Sequence, residues 1–263
     1  MRQLGSSAFA RYISIPWVGG TVGILALIAA WWTFSLSLPN ATSLPTPPAT
    51  VAAAIEDGWA FYGPNVQATL ARAGQGYLWG NLLGLAVAAV VFLIPQLEQI
   101  VTQLGVLSQC LPITAVGPII MVIFGGRSTA IFLAALLVFF TTLVGTVLGM
   151  RSASATSLDL VRAYGGGRLT RIFKVQLVAA LPAIFTALSV AVPGALLGAI
   201  VGEYLGGIDV GIGVALNAAQ RQVLPERVWA LSLVAALISL AGYALMGLIG
   251  RALTPWASRG GNS

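Results

Sequence analysis

The run STAIFLAALLVFFTTLVGTVLGM, Ser128 to Met150, leads into RSASATSLDLVRAYGGGRLTRIFK, Arg151 to Lys174, and then into VQLVAALPAIFTALSVAVPGALLGAIVG, Val175 to Gly202. Both flanking runs are uncharged, and each exceeds the about 20 apolar residues that a helix needs to cross a bilayer. The middle run collects Arg151, Arg162, Arg168, Arg171 and Lys174. Two membrane helices joined by a basic connection are the simplest chain that fits this alternation.

Four more uncharged stretches lie outside this segment: Trp17 to Leu38, Ala73 to Leu97, Gln99 to Gly126 and Val228 to Gly250. The predicted fold is therefore all-α, an integral membrane protein with six transmembrane helices. Composition agrees, because only 8% of the 263 residues are charged and 58% are hydrophobic, whereas a soluble domain carries about a quarter charged residues. With no histidine and one cysteine, Cys110, the chain can assemble neither an intrachain disulfide, a histidine general base nor a zinc cluster. No paired carboxylates stand together on one side as an enzyme site would need.

Within the spans, Pro112 and Pro118 predict a kink in the third. The first span follows Arg2 and Arg11 but is too long, and too rich in late tryptophan, for a cleaved signal, so it reads as a retained helix. Gly76, Gly80 and Gly84, and again Gly194, Gly198 and Gly202, recur at every fourth residue, a spacing that lets helix backbones approach closely. Polar residues inside the spans, such as Asn81, Thr142 and Ser189, are uncharged, which weakens the case for an ion-coupled secondary carrier. Glu98 and Glu203 sit at span borders within reach of water; Glu203 reads either as an interfacial carboxylate or as a possible pathway or gate residue.

Basic residues orient the chain. With the N-terminus in the cytoplasm, the inner side holds nine, Arg2, Arg11, Arg151, Arg162, Arg168, Arg171, Lys174, Arg251 and Arg259, against Arg72, Arg127, Arg221 and Arg227 outside. Both termini are then cytoplasmic. On the outer side, residues 39–72 are Pro-rich at their start, which disfavours a continuous helix, although 49–62 could lie on the surface as a short helix. Residues 203–227, broken by glycines and Pro225, read as an outer loop that dips back or lies on the surface.

The inner connection is a compact knob. Thr156 followed by Asp159 is a weak capping-box start for a helix running through Tyr164. Gly165, Gly166 and Gly167 stop it, and a second helix begins near Arg168 with Leu169, Ile172 and Phe173 at helical spacing. The knob could anchor to anionic lipid or dock a cytoplasmic partner. The three glycines are no phosphate loop, since they lack the Gly-Lys-Ser/Thr ending.

This knob resembles the EAA loop of ABC importer permeases, the inner-membrane component of binding-protein-dependent transport systems. Asp159-Leu160-Val161 occupies the Glu-Ala-Ala box, Gly165 the glycine, Val175 the following aliphatic and Leu177-Val178 the place of Leu-Pro. Leu181-Pro182 resembles a second Leu-Pro of the sulfonate, nitrate and taurine branch. The same branch is suggested by TLARAGQGYLWGNLLGLAVAAV from Thr69, by LPITAVGPIIMVIFG from Leu111, and by VGEYLGG from Val201 followed by Gly211-Ile212-Gly213.

The resemblance implies a MetI-like permease fold in one domain, with residues 1–66 as first helix and outer strap, 67–250 as permease core and 151–174 as the cytoplasmic coupling loop. It implies a multi-pass protein of the bacterial inner membrane that moves a small polar organic or anionic solute. Implied partners are a second permease, identical or homologous, two ATP-binding subunits and an extracytoplasmic solute-binding protein, with membrane lipid around them and no nucleic acid. ATP and magnesium would sit on the partner, with no cofactor in this chain. Coupling to the ATPase would fall to Asp159, Leu160, Val161, Gly165, Gly166, Arg168, Leu169, Arg171, Ile172 and Phe173. A non-transporting membrane scaffold and a secondary carrier are the competing readings.

Overall fold

The computed structural model describes residues 16–37, 44–109 and 112–257. Cys110 lies outside them, as do Arg2, Arg11 and Arg259 of the charge tally. The helices are α1 (Pro16–Ser37), α2 (Pro47–Leu93), α3 (Glu98–Gln109), α4 (Ile113–Phe124), α5 (Gly126–Met150), α6 (Ala155–Ala163), α7 (Arg168–Arg171), α8 (Leu177–Leu205), α9 (Ile212–Arg221) and α10 (Pro225–Leu253). A π-helical turn, Ile172–Gln176, joins α7 to α8 without a break. Among the described residues no strand occurs, and five helical stretches are long and apolar enough to span a membrane.

The third predicted span departs from one kinked helix. It is divided into α3 and α4, with Pro112 extended at φ −67° and ψ 112° ahead of α4. Each is 12 residues long, so at 1.5 Å per residue each reaches about 18 Å, short of the about 30 Å hydrocarbon core.

The short helix allowed over residues 49–62 of the strap is present and starts two residues earlier. α2, Pro47 to Leu93, consists of two helical segments that meet at a kink where Gly58 has φ 64° and ψ 178°. Pro47 and Pro48 fit because they occupy the first turn, where backbone N–H groups have no helical acceptor. The Thr46 hydroxyl accepts the Ala49 N–H at 3.3 Å and caps that turn. The expected outer loop likewise contains the ten-residue helix α9.

Two compact units form, the chain up to Gly58 with Ala219–Leu231, and Trp59–Ala218 with Ser232 onward. In the first, the indole of Trp31 stacks on Trp229 at 5.1 Å and donates to the Pro45 carbonyl at 3.1 Å. Asp57 accepts from Arg227 Nε at 2.8 Å and from its Nη2.

The second unit is built around α5. A Cβ on Gly80 would meet Val138 Cβ at 2.7 Å, and one on Gly84 the Phe139 carbonyl at 2.9 Å, so the α2 stripe lies directly on α5. From α8, a Cβ on Gly198 would stand 2.6 Å from Ala134 Cα, and Gly202 faces the Ala130 backbone. Both stripes thus serve the same partner. Gly194 is the exception, with only Leu137 Cβ nearby at 3.8 Å. Small side chains fill the joint: Ala73, Ala134, Val138, Ala191, Ala195 and Ala199 share one buried cluster. Asn81 spans the α2–α5 contact, donating to the Tyr77 carbonyl at 2.8 Å and accepting the Thr142 hydroxyl. Asn81, Thr141, Thr142 and Ser189 are therefore packing elements, spending hydrogen bonds locally or on the adjoining helix.

Candidate functional site

The knob folds as α6, a glycine elbow and α7. Ser154, not Thr156, caps α6: its hydroxyl accepts the Ser157 N–H at 3.2 Å. At the far end Gly166 N–H donates to the Val161 carbonyl at 2.8 Å and Gly165 N–H to the Arg162 carbonyl at 3.0 Å. This pair of bonds is a Schellman cap, which places its C′ residue in the left-handed region. Gly165 is that residue, at φ +74°. Gly166 packs on Val161, leaving no room there for a Cβ, whereas Gly167 has open space around it.

Each arm of the elbow exposes an apolar pair four residues apart: Leu160 on α6 with Tyr164, the residue that ends it, and Leu169 with Phe173 on the second arm, all more than half exposed. Asp159 is exposed beside them, and Val161 is half-buried. The structure divides the predicted set, because Ile172 is buried and Arg168 Nη2 donates to the carbonyls of Leu93 at 2.9 Å and Phe92 at 3.4 Å. A cation on the last carbonyls of α2 is a favourable C-terminal cap. At the start of the loop Arg151 pairs with Glu98. The hydrogen bond to that carboxylate, then its charge, holds the Arg151 guanidinium above its ordinary pKa.

Glu203 lies elsewhere in the unit and is not within reach of water: its side chain is 0% exposed. Its Oε1 accepts Arg72 Nη1 at 2.6 Å, and its Oε2 accepts the Thr69 hydroxyl at 2.8 Å and the Gly213 N–H at 3.0 Å. Arg72 Nη1 also donates to the Val210 carbonyl at 2.8 Å. Thr69 Oγ1 accepts the Ile212 N–H at 2.8 Å, and Asn65 Oδ1 accepts the Gly211 N–H at 2.9 Å. The first N–H groups of a helix have no internal acceptor; here three side chains from α2 and α8 supply them to α9, with the carboxylate at the positive end of its dipole. Gly211 and Gly213 permit this closure, since a Cβ on Gly211 would stand 2.5 Å from Glu203 Cδ and one on Gly213 would strike the Ile200 carbonyl.

Sequence reading placed Glu203 at a border and Arg72 in an outer connection, and so overlooked their pair. A signal was available. Asn65, Thr69 and Arg72 follow one another at intervals of four and three, which puts three polar side chains on one stripe of α2. Among the described residues no cluster of three or more histidine, cysteine or acidic side chains is placed to hold a metal ion.

Residues 80–259, more than half of the chain, match the family described as "Binding-protein-dependent transport system inner membrane component". The chain is 31% identical over 125 residues to a Haemophilus influenzae protein named as an ABC transporter permease, covering 47% of this chain and 51% of that one. It is 27% identical over 169 residues to a formylaminopyrimidine transport permease protein of Halalkalibacterium halodurans, covering 64% and 68%. A Bacillus subtilis protein named as a permease for aliphatic sulfonates transport is 28% identical over 177 residues, covering 65% and 63%. The chain thus spans about half to two thirds of the length of these relatives.

Proposed function

Because the chain belongs to the family of binding-protein-dependent transport system inner membrane components, we propose that it is the permease subunit of an ATP-driven importer for a small polar organic or anionic solute. The relatives named for formylaminopyrimidine and for aliphatic sulfonates support that solute class. Energy comes from other chains. Two ATP-binding subunits carry ATP and magnesium, a second permease completes the pathway, and a solute-binding protein delivers cargo from outside.

The observation that carries the coupling role is the exposed, rigidly capped elbow. Leu160, Tyr164, Leu169 and Phe173 form apolar surface outside the spans, and Gly165 fixes the angle between the two arms through a Schellman cap. Since the second arm continues through the π turn into α8, a push on the elbow is delivered along a helix that packs on α5. Such an arrangement suits transmission of ATPase closure into the spans. The elbow side is cytoplasmic in this reading, in keeping with its five basic residues from Arg151 to Lys174.

Glu203 and Arg72 act as the clamp on α9, not as a coupling-ion site. Every contact of the carboxylate goes to a fixed donor, whereas an ion-coupled carrier needs a buried charge that exchanges its partner. The deciding experiment is affinity purification of the full chain from its native membranes in mild detergent, with identification of every co-purifying chain. Recovery of ATP-binding subunits and a permease partner is expected. Repeated recovery of the chain with no ATPase would reject the importer reading.

A further inference from the structure

Beneath the elbow, in the second unit, lies a cavity of about 280 Å³. Three of its lining side chains are Arg151, Arg168 and Arg171, and one is Glu98. Glu98 is spent on Arg151. Neither Arg168 nor Arg171 has an ion-pair partner among the described residues, and the buried Nε of Arg171 has no hydrogen-bond partner there either. Two guanidinium groups therefore face one cavity with no free carboxylate to balance them: exposed Arg168 gives its Nη2 to the α2 carbonyls, and the Arg171 Nε, a buried guanidinium N–H left unpaired, is costly. Such an arrangement calls for an anion with several acceptor oxygens, the geometry that guanidinium groups match best.

The rest of the wall says what else the anion carries. Phe92, Val147, Met150 and Ile172 line the same cavity, and Leu93 and Met150 are the last residues of α2 and α5. The cavity is thus apolar toward the spans and cationic toward the knob, at the level where two long apolar helices stop. Its volume is several times the about 30 Å³ share of one water, enough for a phosphate and adjoining glycerol carbons. Basic pockets between membrane helices at their charged ends suit lipid headgroups.

We propose that this cavity is a headgroup site for an anionic phospholipid, with the phosphate held between Arg168 and Arg171 and the glycerol region against Phe92 and Met150. A bound lipid would then bridge the end of α2 to the second arm of the elbow. The assignment stands on the cavity and does not depend on whether the elbow docks an ATPase.

The test is native mass spectrometry of the full chain in detergent, titrated with phosphatidylglycerol, phosphatidylcholine or inorganic phosphate. Phosphatidylglycerol should bind in preference to the other two, and more weakly as salt rises. Arg171→Gln should weaken it by about fivefold, the worth of one basic side chain near an anionic headgroup. Arg171→Lys should retain most of the affinity, and Arg251→Gln, an exposed residue outside the cavity, should retain all of it. Equal binding of phosphatidylglycerol by wild type and Arg171→Gln would overturn the site. Inorganic phosphate binding as tightly as the lipid would overturn the lipid as its ligand, and equal binding of phosphatidylcholine would overturn the charge requirement. Should Arg171→Gln fail to yield monodisperse protein, the salt dependence on wild type decides, salt-independent binding being the negative result.

Discussion

Arg72 and Glu203, 131 residues apart in sequence, meet through a 2.6 Å contact in which both side chains are more than nine-tenths buried. Thr69 and the Gly213 N–H complete the carboxylate's shell, so the pair is held by fixed donors. Removing one member of such a pair leaves the other charged and buried, at a cost of about 3–5 kcal/mol. Arg72→Met and Glu203→Leu should each lower the unfolding midpoint in detergent, while the double variant recovers much of the loss. Losses that simply add would mean that the two charges are not coupled.

Glu203→Gln is a gentler probe of function. An amide keeps the shape and can still accept from Thr69 and Gly213, so α9 should stay capped while the charge balance with Arg72 is lost. Uptake in reconstituted vesicles should fall in proportion to recovered, folded complex and not beyond it. A change in solute affinity at unchanged stability would instead put Glu203 on the transport route.

The two glycine stripes make a sharper comparison, because sequence alone treats their members alike. Gly198 has the Ala134 backbone 2.6 Å from any added Cβ, whereas Gly194 has nothing closer than 3.8 Å. Gly198→Ala should destabilise by about 1–3 kcal/mol through overpacking. Gly194→Ala should be neutral, or stabilise by up to about 1 kcal/mol through helix propensity. Thermal unfolding in the same detergent separates the two, and equal effects would argue against the α5–α8 contact.

The Arg151–Glu98 bridge should respond to salt but not to pH in the working range. Arg151 is well exposed, so ions screen the pair. Its pKa is raised above an already high ordinary value, so its contribution is fully present below that value and disappears only as pH climbs past the raised one. A stability step near neutral pH that vanished in Arg151→Gln would contradict this.

Most membrane helices were legible because charge is so sparse that the uncharged runs stand out, although α2 continues through Arg72, and the elbow was legible because three consecutive glycines do not continue a helix. Local pattern also found the stripes, though not that both address α5. What escaped had one local cause and one non-local one. Pro47 and Pro48 look like helix breakers until Thr46 is recognised as the cap ahead of them, and Glu203 looks solvent-facing until α9 folds back over it. Arg72 announced itself only through its spacing from Asn65 and Thr69. The predicted coupling set was divided by geometry in the same way, since the i, i+4 pair Leu169 and Phe173 points outward while Ile172 between them packs inward.

Gly165 is the position at which the importer reading is most exposed to test. Its φ of +74° costs a residue with a side chain about 1–2 kcal/mol, and more for a β-branched one. Gly165→Val should therefore open the Schellman cap and alter the angle between the arms without touching any span. Membrane insertion and the unfolding midpoint of the spans should be close to wild type. ATPase association, or solute-stimulated ATP turnover in reconstituted vesicles, should fall markedly. Gly167→Ala is the matched control two residues away, with an extended backbone, φ −70°, and open space around it, and it should behave as wild type. Gly165→Asn, which tolerates the left-handed region better, should fall between the two. If all three variants kept normal complex yield and turnover, the elbow would be a passive turn, and the coupling role would have to be sought elsewhere on the chain.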